Sequence, residues 1–173
     1  MVKKNTSSAS RRTDIVSAAI EVFAETGYYR ATTAQVAERA AISQPYVYRF
    51  FTKESLLVEA LEVSWQRIET AFRQVLESAS PDTLERGFIK AYEGILVAHG
   101  SEILLQMQAQ TIREEAVRKT MQEGMSRIKR LVLNAFEEAE MEDAERRTSD
   151  FLARGMLCNV SMAIGLPDLM LKK

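Results

Sequence analysis

Polar and aromatic side chains are concentrated between residues 43 and 53, where their types suit contact with a nucleic acid. Gln44 can offer a paired donor and acceptor to adenine, and Tyr46 can touch a base edge or a thymine methyl group. Four further residues can hold phosphate oxygens on either side, aided by amides at helix N-termini: Ser43, Tyr48, Arg49 and Lys53. These residue types indicate binding to double-stranded DNA.

Two short helices are predicted to position these side chains. Thr32 and Gln35 have the spacing of a capping box, which predicts that the first helix begins there. Ala37 is small enough for a second helix to cross closely. Ala41 and Ile42 form a tight turn, in which Ile42 fills the space between the helices.

The second helix is predicted to run from Gln44 to about Phe50. Ser43 is a suitable N-cap for it, and Val47 returns to the core. Two short helices joined by such a turn make a helix-turn-helix, whose second helix lies in the DNA major groove. The alternative is a structural helical hairpin whose polar residues are only solvated.

Apolar residues recur at helical spacing along almost the whole chain, and no run alternates long enough to form a strand. The sequence therefore predicts an all-α protein. Residues 1–52 are expected to form a three-helix DNA-binding domain, in which residues 1–9 are a flexible basic arm. Residues 53–173 are expected to form a larger helical domain, to which the helix beginning near Lys53 connects directly.

The net charge of −1 conceals an uneven distribution of charge. Residues 1–53 contain eight Lys or Arg and four Asp or Glu, whereas the remaining residues contain 15 and 20. A basic N-terminal segment on an acidic body suggests that only that segment meets a polyanion. Four cations could add salt-sensitive attraction to DNA: Lys3, Lys4, Arg11 and Arg12.

The composition also excludes several classes of protein. Hydrophobic residues make up 46% of the chain, which is too many for global disorder. One cysteine, Cys158, and one histidine, His99, provide neither an internal disulfide nor a zinc site. No apolar stretch spans a bilayer and no secretory signal begins the chain, so a cytoplasmic location is expected.

Catalysis is not expected. His99 lies beside Gly100 at a helix end, where a cation meets the last carbonyls favourably, and it has no evident catalytic partners. Cys158 sits in an apolar helix, which is typical of a small buried side chain. The chain has neither a glycine-rich phosphate loop nor an HExxH motif. We therefore expect no catalytic residues, no cofactor and no metal.

Small, apolar and polar residues follow one another in a distinctive order between Ile15 and Leu57. The elements are Ile15, Ala18, Ala19, Phe23, Gly27 and Tyr28; Thr32, Thr33, Val36, Ala37 and Ala40; Ile42, Ser43, Val47, Tyr48 and Phe51; and Lys53, Glu54, Leu56 and Leu57. This order resembles the tetracycline-repressor (TetR) family of transcriptional regulators. The resemblance implies that Thr33, Tyr48 and Lys53 contact phosphate. It also implies that Gln44, Pro45 and Tyr46 approach the bases.

Two features depart from the family pattern. Ala41 stands in the turn where the family usually has glycine, at a cost of about 1 kcal/mol if its φ is positive. The stretch from Phe51 to Lys53 is one residue shorter than usual, which affects the placement of Lys53.

Beyond residue 60 the resemblance concerns architecture, and it implies that the C-terminal helices pair two subunits. Helices at about 116–139 and 146–164 are expected to form an intersubunit four-helix bundle. The second has apolar residues around most of its circumference and small residues that allow close approach. The alternative is a helix buried within its own subunit.

The resemblance also implies a small-molecule effector site in the helical body. Flexible Met and large aromatic residues on the inner helix faces suit an adaptable pocket, although such residues also form plain core. The candidate ligand-binding residues are Trp65, Tyr92, Met107 and Met125. Nearby, Gln106, Gln108 and Gln110 are interpreted as solvated, since at most two of them can share a face.

Together these features predict a ligand-responsive homodimeric repressor that binds a palindromic operator and is released by a small, largely apolar molecule. Two alternatives remain open. One is a ligand-independent architectural DNA binder, and the other is a helical small-molecule-binding or interaction protein without DNA binding. The intact surface from Ser43 to Lys53 argues against the second.

Overall fold

The structure is a computed structural model, and it describes residues 8–169. In this range it contains eight α-helices, a short 3-10 turn at Pro167–Leu169 and no strand. The helices are α1 Ser8–Thr26, α2 Thr33–Arg39, α3 Gln44–Tyr48, α4 Lys53–Leu76, α5 Pro81–Ala98, α6 Gly100–Ala109, α7 Glu115–Glu138 and α8 Ala144–Ile164. The all-α prediction is confirmed.

The predicted basic arm lies mostly outside the described residues. Lys3 and Lys4 belong to the part that the structure does not describe. Ser8 and Ala9 were expected in the arm, but they form the first turn of α1, where the Thr13 hydroxyl donates to the Ala9 carbonyl at 3.2 Å. Helix α1 ends before Gly27, whose φ of +81° favours glycine.

The first core joins the N-terminal helices to the body. Ile15 of α1, Val36 of α2 and Val47 of α3 are fully buried in it. The same cluster includes Leu57 of α4 and Leu105 of α6, so the three N-terminal helices pack directly on the larger part of the chain. The division between residues 52 and 53 stays a prediction.

The second core fills the body between α4, α5, α7 and α8. Four phenylalanines form its centre, with ring centroids 4.9 to 6.4 Å apart: Phe72, Phe88, Phe136 and Phe151. Helix α4 has 24 residues, so it extends about 36 Å and takes part in both cores. A displacement in the second core can therefore reach the N-terminal helices through a single rigid element.

Buried polar side chains hold α6 against its neighbours. Glu102 accepts two hydrogen bonds of 2.9 Å from Nε of Arg67. Gln106 donates to the Ser64 hydroxyl at 2.8 Å, and Gln108 donates to the carbonyl of Ala24 at 2.8 Å. The interpretation of Gln106 and Gln108 as solvated is wrong, because each side chain pairs with a polar group of another helix. Gln110 is exposed, as expected.

Candidate DNA-binding surface and effector cavity

The turn between α2 and α3 fixes the angle at which α3 is presented. The Ile42 amide donates to the Ala37 carbonyl at 2.9 Å, and the Ala41 amide donates to the Glu38 carbonyl at 3.1 Å. This pattern is a Schellman motif with Ala41 in the left-handed position, at φ +53°. The condition for a conformational cost at Ala41, a positive φ, is therefore met, and Ile42 packs half-buried against the first core.

Both predicted helix starts occur, but only one is capped by a side chain as expected. Thr32 and Gln35 form the complete capping box of α2. Ser43 is the N-cap residue of α3, yet its side chain makes no capping hydrogen bond. Pro45 has no amide proton to offer, and the Tyr46 amide donates to the Ser43 carbonyl at 3.0 Å. The Ser43 side chain therefore remains exposed and available to an external acceptor or donor.

Buried Val47 anchors α3, and the opposite side of the helix faces outward. Pro45, Tyr48 and Arg49 are exposed, whereas Gln44 and Tyr46 are half-buried. The Arg49 guanidinium lies 5.5 Å from the centre of the Tyr46 ring. The predicted base-contacting and phosphate-contacting residues of α3 thus share one accessible surface.

A three-membered hydrogen-bond cluster connects α2 to α3. The Thr33 hydroxyl donates to the Tyr48 hydroxyl at 2.9 Å, and it accepts a 2.9 Å bond from Nε2 of Gln44. Thr33 is only 4% exposed, so in this state its side chain orients Gln44 and Tyr48 instead of facing solvent. Contact of Thr33 with phosphate stays a prediction.

Lys53 and Arg12 lie at the edges of this surface and already have partners. The Lys53 ammonium donates to the Tyr29 carbonyl at 3.2 Å and lies 4.8 Å from the Tyr28 ring centre. Arg12 pairs with Glu59 at 3.0 Å and stacks 4.3 Å from the Phe51 ring centre. Both cations therefore already have partners in the free protein, and contact of Arg12 and Lys53 with DNA stays a prediction.

A large cavity of about 1280 Å³ lies in the body, between α4, α5, α6, α7 and α8. It exceeds the usual range of about 300–1,000 Å³ for small-molecule sites. Trp65, Tyr92 and Met125, three of the four candidate ligand-binding residues, line it. Tyr92 donates to Oδ1 of Asn159 at 2.8 Å, and burial raises the pKa of Tyr92 to about 12, which keeps the phenol protonated.

Met107, the fourth candidate, does not line the cavity. The rotation of α6 places Gln106, Ala109 and Gln110 on the cavity side, since residues three and four apart share a helix face. The Met107 sulfur instead lies 3.4 Å from Nε2 of Gln110. The buried bond between Gln106 and Ser64 fixes this rotation, and apolar character alone does not reveal it.

Several residues that line the cavity were not predicted from the sequence. Four are cations: Arg113, Arg118, Lys129 and Arg154. Arg118, Met121, Gln122, Met125, Ser126 and Lys129 recur at spacings of three and four along α7, so they share one face of that helix. That spacing is the sequence signal that could have placed the charged residues beside the predicted pocket.

The comparisons with known proteins agree with this geometry. Residues 15–61 match the family model for bacterial regulatory proteins of the tetR family. No curated protein sequence matches the chain significantly.

Several solved structures share the fold over most of the chain. A TetR-like transcriptional regulator from Rhodococcus sp. RHA1 is 20% identical, covers 92% of this chain and 87% of its own, and gives a TM-score of 0.76. FadR from Bacillus subtilis, in complex with stearoyl-CoA, is 17% identical over 90% of this chain and 87% of its own, with a TM-score of 0.71. The ketosteroid regulator KstR2 of Mycobacterium tuberculosis is 18% identical over 92% and 85%, with a TM-score of 0.70.

A helix-turn-helix segment joined to a helical body defines a class of DNA-binding transcriptional regulators. Residues 15–61 match the N-terminal model of that kind, the tetR family, as the motifs predict, and most of the chain shares its fold with the TetR-like structures. In the range from 8 to 169, no helix is long and apolar enough to cross a membrane.

Proposed function

We propose that this protein is a homodimeric, effector-responsive repressor that binds a palindromic operator through α3. The observation that carries the proposal is the Gln44–Thr33–Tyr48 cluster, because it holds two side chains of α3 at the surface where a major groove would meet them. Gln44 and Tyr46 would read base edges, whereas Ser43, Tyr48, Arg49 and Lys53 would hold the phosphates.

An unpaired apolar stripe on α8 supports the homodimer. Ala153, Leu157, Val160 and Ile164 recur at spacings of four, three and four, so they share one face of the helix. Leu157 is 41% exposed and Ile164 is 62% exposed within one subunit. A second copy of α8, with α7 beside it, would cover these side chains and give the operator its two-fold symmetry.

Control by an effector follows from the elements that line the cavity. Helix α4 contributes Trp65 to the cavity wall and Leu57 to the core of the N-terminal helices. A ligand that favours a tilted α4 would move the two copies of α3 away from operator spacing, which is about 34 Å for adjacent turns. A coupling of about 1–3 kcal/mol would change operator affinity about 5–150-fold.

A second connection between the cavity and the three N-terminal helices lies at the junction of α6 and α7. Thr111, Ile112 and Arg113 line the cavity. The next residue, Glu114, accepts a 3.1 Å hydrogen bond from the Tyr29 hydroxyl in the connection between α1 and α2. Movement of this junction would therefore displace the N-terminal helices independently of α4.

The similar structures favour a sizeable, mainly apolar effector. The FadR structure contains stearoyl-CoA, and KstR2 is described as a ketosteroid regulator. The cavity in this chain is large and its walls are largely apolar and aromatic, so an effector of comparable bulk would fit.

Selection of DNA by the purified protein from a random fragment pool tests the proposal. The selection is run at low salt and at near-physiological salt. A specific dimeric repressor should recover one palindromic motif that survives the higher salt. Fragments without a shared motif, lost as salt rises, would indicate the architectural alternative. No retention even at low salt would contradict DNA binding.

A further inference from the structure

The residues that line the cavity carry a net positive charge, whereas the body around it is net negative. Residues 54–173 contain 15 Lys or Arg against 20 Asp or Glu. The cavity is nevertheless lined by four cations, Arg113, Arg118, Lys129 and Arg154, and by one acid, Glu93. The lining of this cavity is thus net positive in an otherwise acidic body, and a cleft with charge of one sign attracts ions of the other.

Several other basic residues of the body are paired with carboxylates. Arg67, Arg127 and Arg147 each form an ion pair with a glutamate. Within the part of the chain that the structure describes, none of the four cavity cations lies within ion-pair distance of a carboxylate. Their charge is therefore available to an anion that enters the cavity.

The two ends of the cavity differ in net charge. Burial raises the pKa of the Cys158 thiol, and Arg154 and Glu93 both act on that thiol, lowering and raising its pKa respectively. Glu93 and Arg154 therefore lie at the same end, where the acid offsets one of the cations.

At the opposite end, at the junction of α6 and α7, positive charge is not offset by a lining acid. Arg113 and Arg118 line it together with the polar side chains of Gln110, Thr111 and Gln122, and no acid is among its lining residues. The neighbouring Glu114 does not line the cavity, and its carboxylate accepts the hydrogen bond from Tyr29. This end is the better site for a single anionic group.

The space between the two ends is apolar. Arg118 and Lys129 are eleven residues apart on α7, which corresponds to about 16 Å along the helix. Phe72, Met121 and Met125 line the cavity together with Trp65. Trp65 is 4% exposed, and its buried Nε1 donor has no hydrogen-bond partner among the described residues.

We propose that the cavity binds an anionic amphiphile, with its acid group paired to Arg113 and Arg118 and its apolar chain or ring system against Trp65, Phe72 and Met125. The regulatory role of this ligand rests on the proposed function, whereas its binding can be measured without DNA. Guanidinium groups suit this role because they pair with carboxylate or phosphate oxygens through two parallel hydrogen bonds.

Trp65 is the only tryptophan of the chain, so its fluorescence reports directly from the cavity wall. The full-length protein is titrated with dodecanoate, dodecanol and dodecylamine below the micelle concentration or solubility limit of each, and equilibrium dialysis verifies each affinity. These probes share one apolar chain and differ only in the charge of the head group. We expect dodecanoate to bind about tenfold more tightly than dodecanol and dodecylamine to bind most weakly.

A double variant, Arg113→Gln with Arg118→Gln, should weaken dodecanoate binding about tenfold and leave dodecanol binding unchanged. The matched control is Arg86→Gln with Arg130→Gln, which removes two exposed arginines that do not line the cavity. This control should bind all three probes as the original protein does. Unchanged dodecanol binding also shows that the double variant remains folded.

Equal affinity for dodecanoate and dodecanol would overturn the inference, as would an unaltered dodecanoate affinity in the double variant or no binding of any probe by dialysis. The outcome is distinguishable from that of the proposed function. A protein that binds dodecanoate but selects no operator would contradict the function and leave this inference standing. A protein that selects an operator but binds acid and alcohol alike would contradict this inference alone.

Discussion

The Thr33 hydroxyl donates a 2.9 Å hydrogen bond to the Tyr48 hydroxyl, and this bond joins the first turn of α2 to the last residue of α3. The same Thr33 oxygen accepts a bond from Gln44. One buried side chain thus sets the direction of two side chains on the proposed DNA-binding surface. If this surface binds DNA, the two side chains are already ordered, which lowers the entropic cost of binding.

Thr33→Val and Tyr48→Phe should act on operator binding as one unit. Each change removes one hydroxyl and nearly preserves side-chain shape, so each should weaken operator binding about three- to tenfold. The double variant should lose less than the product of the two single losses, because the second change removes a bond that is already broken. Fluorescence anisotropy with the selected operator measures all three variants. Strictly additive losses would show that the two hydroxyls act independently.

Ala41→Gly should stabilise the protein by about 1 kcal/mol, which raises its Tm by about 2–4 °C. Ala41 has φ +53°, where a side chain costs energy and glycine does not. The neighbouring Ala40→Gly is the matched control, because Ala40 has φ −81° and should be destabilised by about 0.5–1 kcal/mol. Thermal unfolding followed by circular dichroism separates the two. A lower Tm for Ala41→Gly would argue against the left-handed turn.

Gly124→Ala should destabilise the body by about 1–3 kcal/mol through overpacking. A Cβ at Gly124 would lie 2.4 Å from the Trp65 ring, so the indole must move. The tryptophan emission maximum should shift at the same time. Gly94→Ala is the control, since a Cβ there meets nothing within 4 Å and should add about 0.5–1 kcal/mol of stability in α5. Identical unfolding and emission in the two variants would contradict the packing of α7 on α4.

Much of the N-terminal fold follows from local sequence. Thr32 and Gln35 predict the start of α2 because a capping box involves only residues three apart. Ala41 and Ile42 predict the turn because few residues can end one helix and fill the gap to the next. The missing side-chain cap at Ser43 is also local in origin, since Pro45 removes a donor.

The cavity is less predictable because it depends on the rotation of whole helices. Met107 and Gln106 are adjacent, so hydropathy favours Met107 as the inward residue. The hydrogen bond between Gln106 and Ser64 of α4 instead turns Gln106 inward, and its two partners are 42 residues apart. The cations on the cavity wall are also not predicted, because charged residues on a helix are ordinarily assigned to solvent.

Leu157→Glu combined with Ile164→Glu should convert the proposed dimer into a monomer. Both side chains lie on the exposed apolar stripe of α8, and two buried like charges per subunit would repel across the interface. Val97→Glu is the control, because Val97 is 90% exposed and belongs to α5, not to that stripe. Sedimentation velocity should give a dimer for the control and a monomer for the double variant. A double variant that remains a dimer would place the interface elsewhere.

The most direct test of the account is to repeat the DNA selection with Gln44→Ala and with Gln74→Ala, an exposed glutamine of α4 far along the chain from α3. If α3 of each subunit reads one half-site, Gln44→Ala should relax base preference at one position in both halves of the palindrome. Gln74→Ala should return the original motif. Recovery of the same motif with both variants would contradict the assignment of α3 as the element that reads DNA.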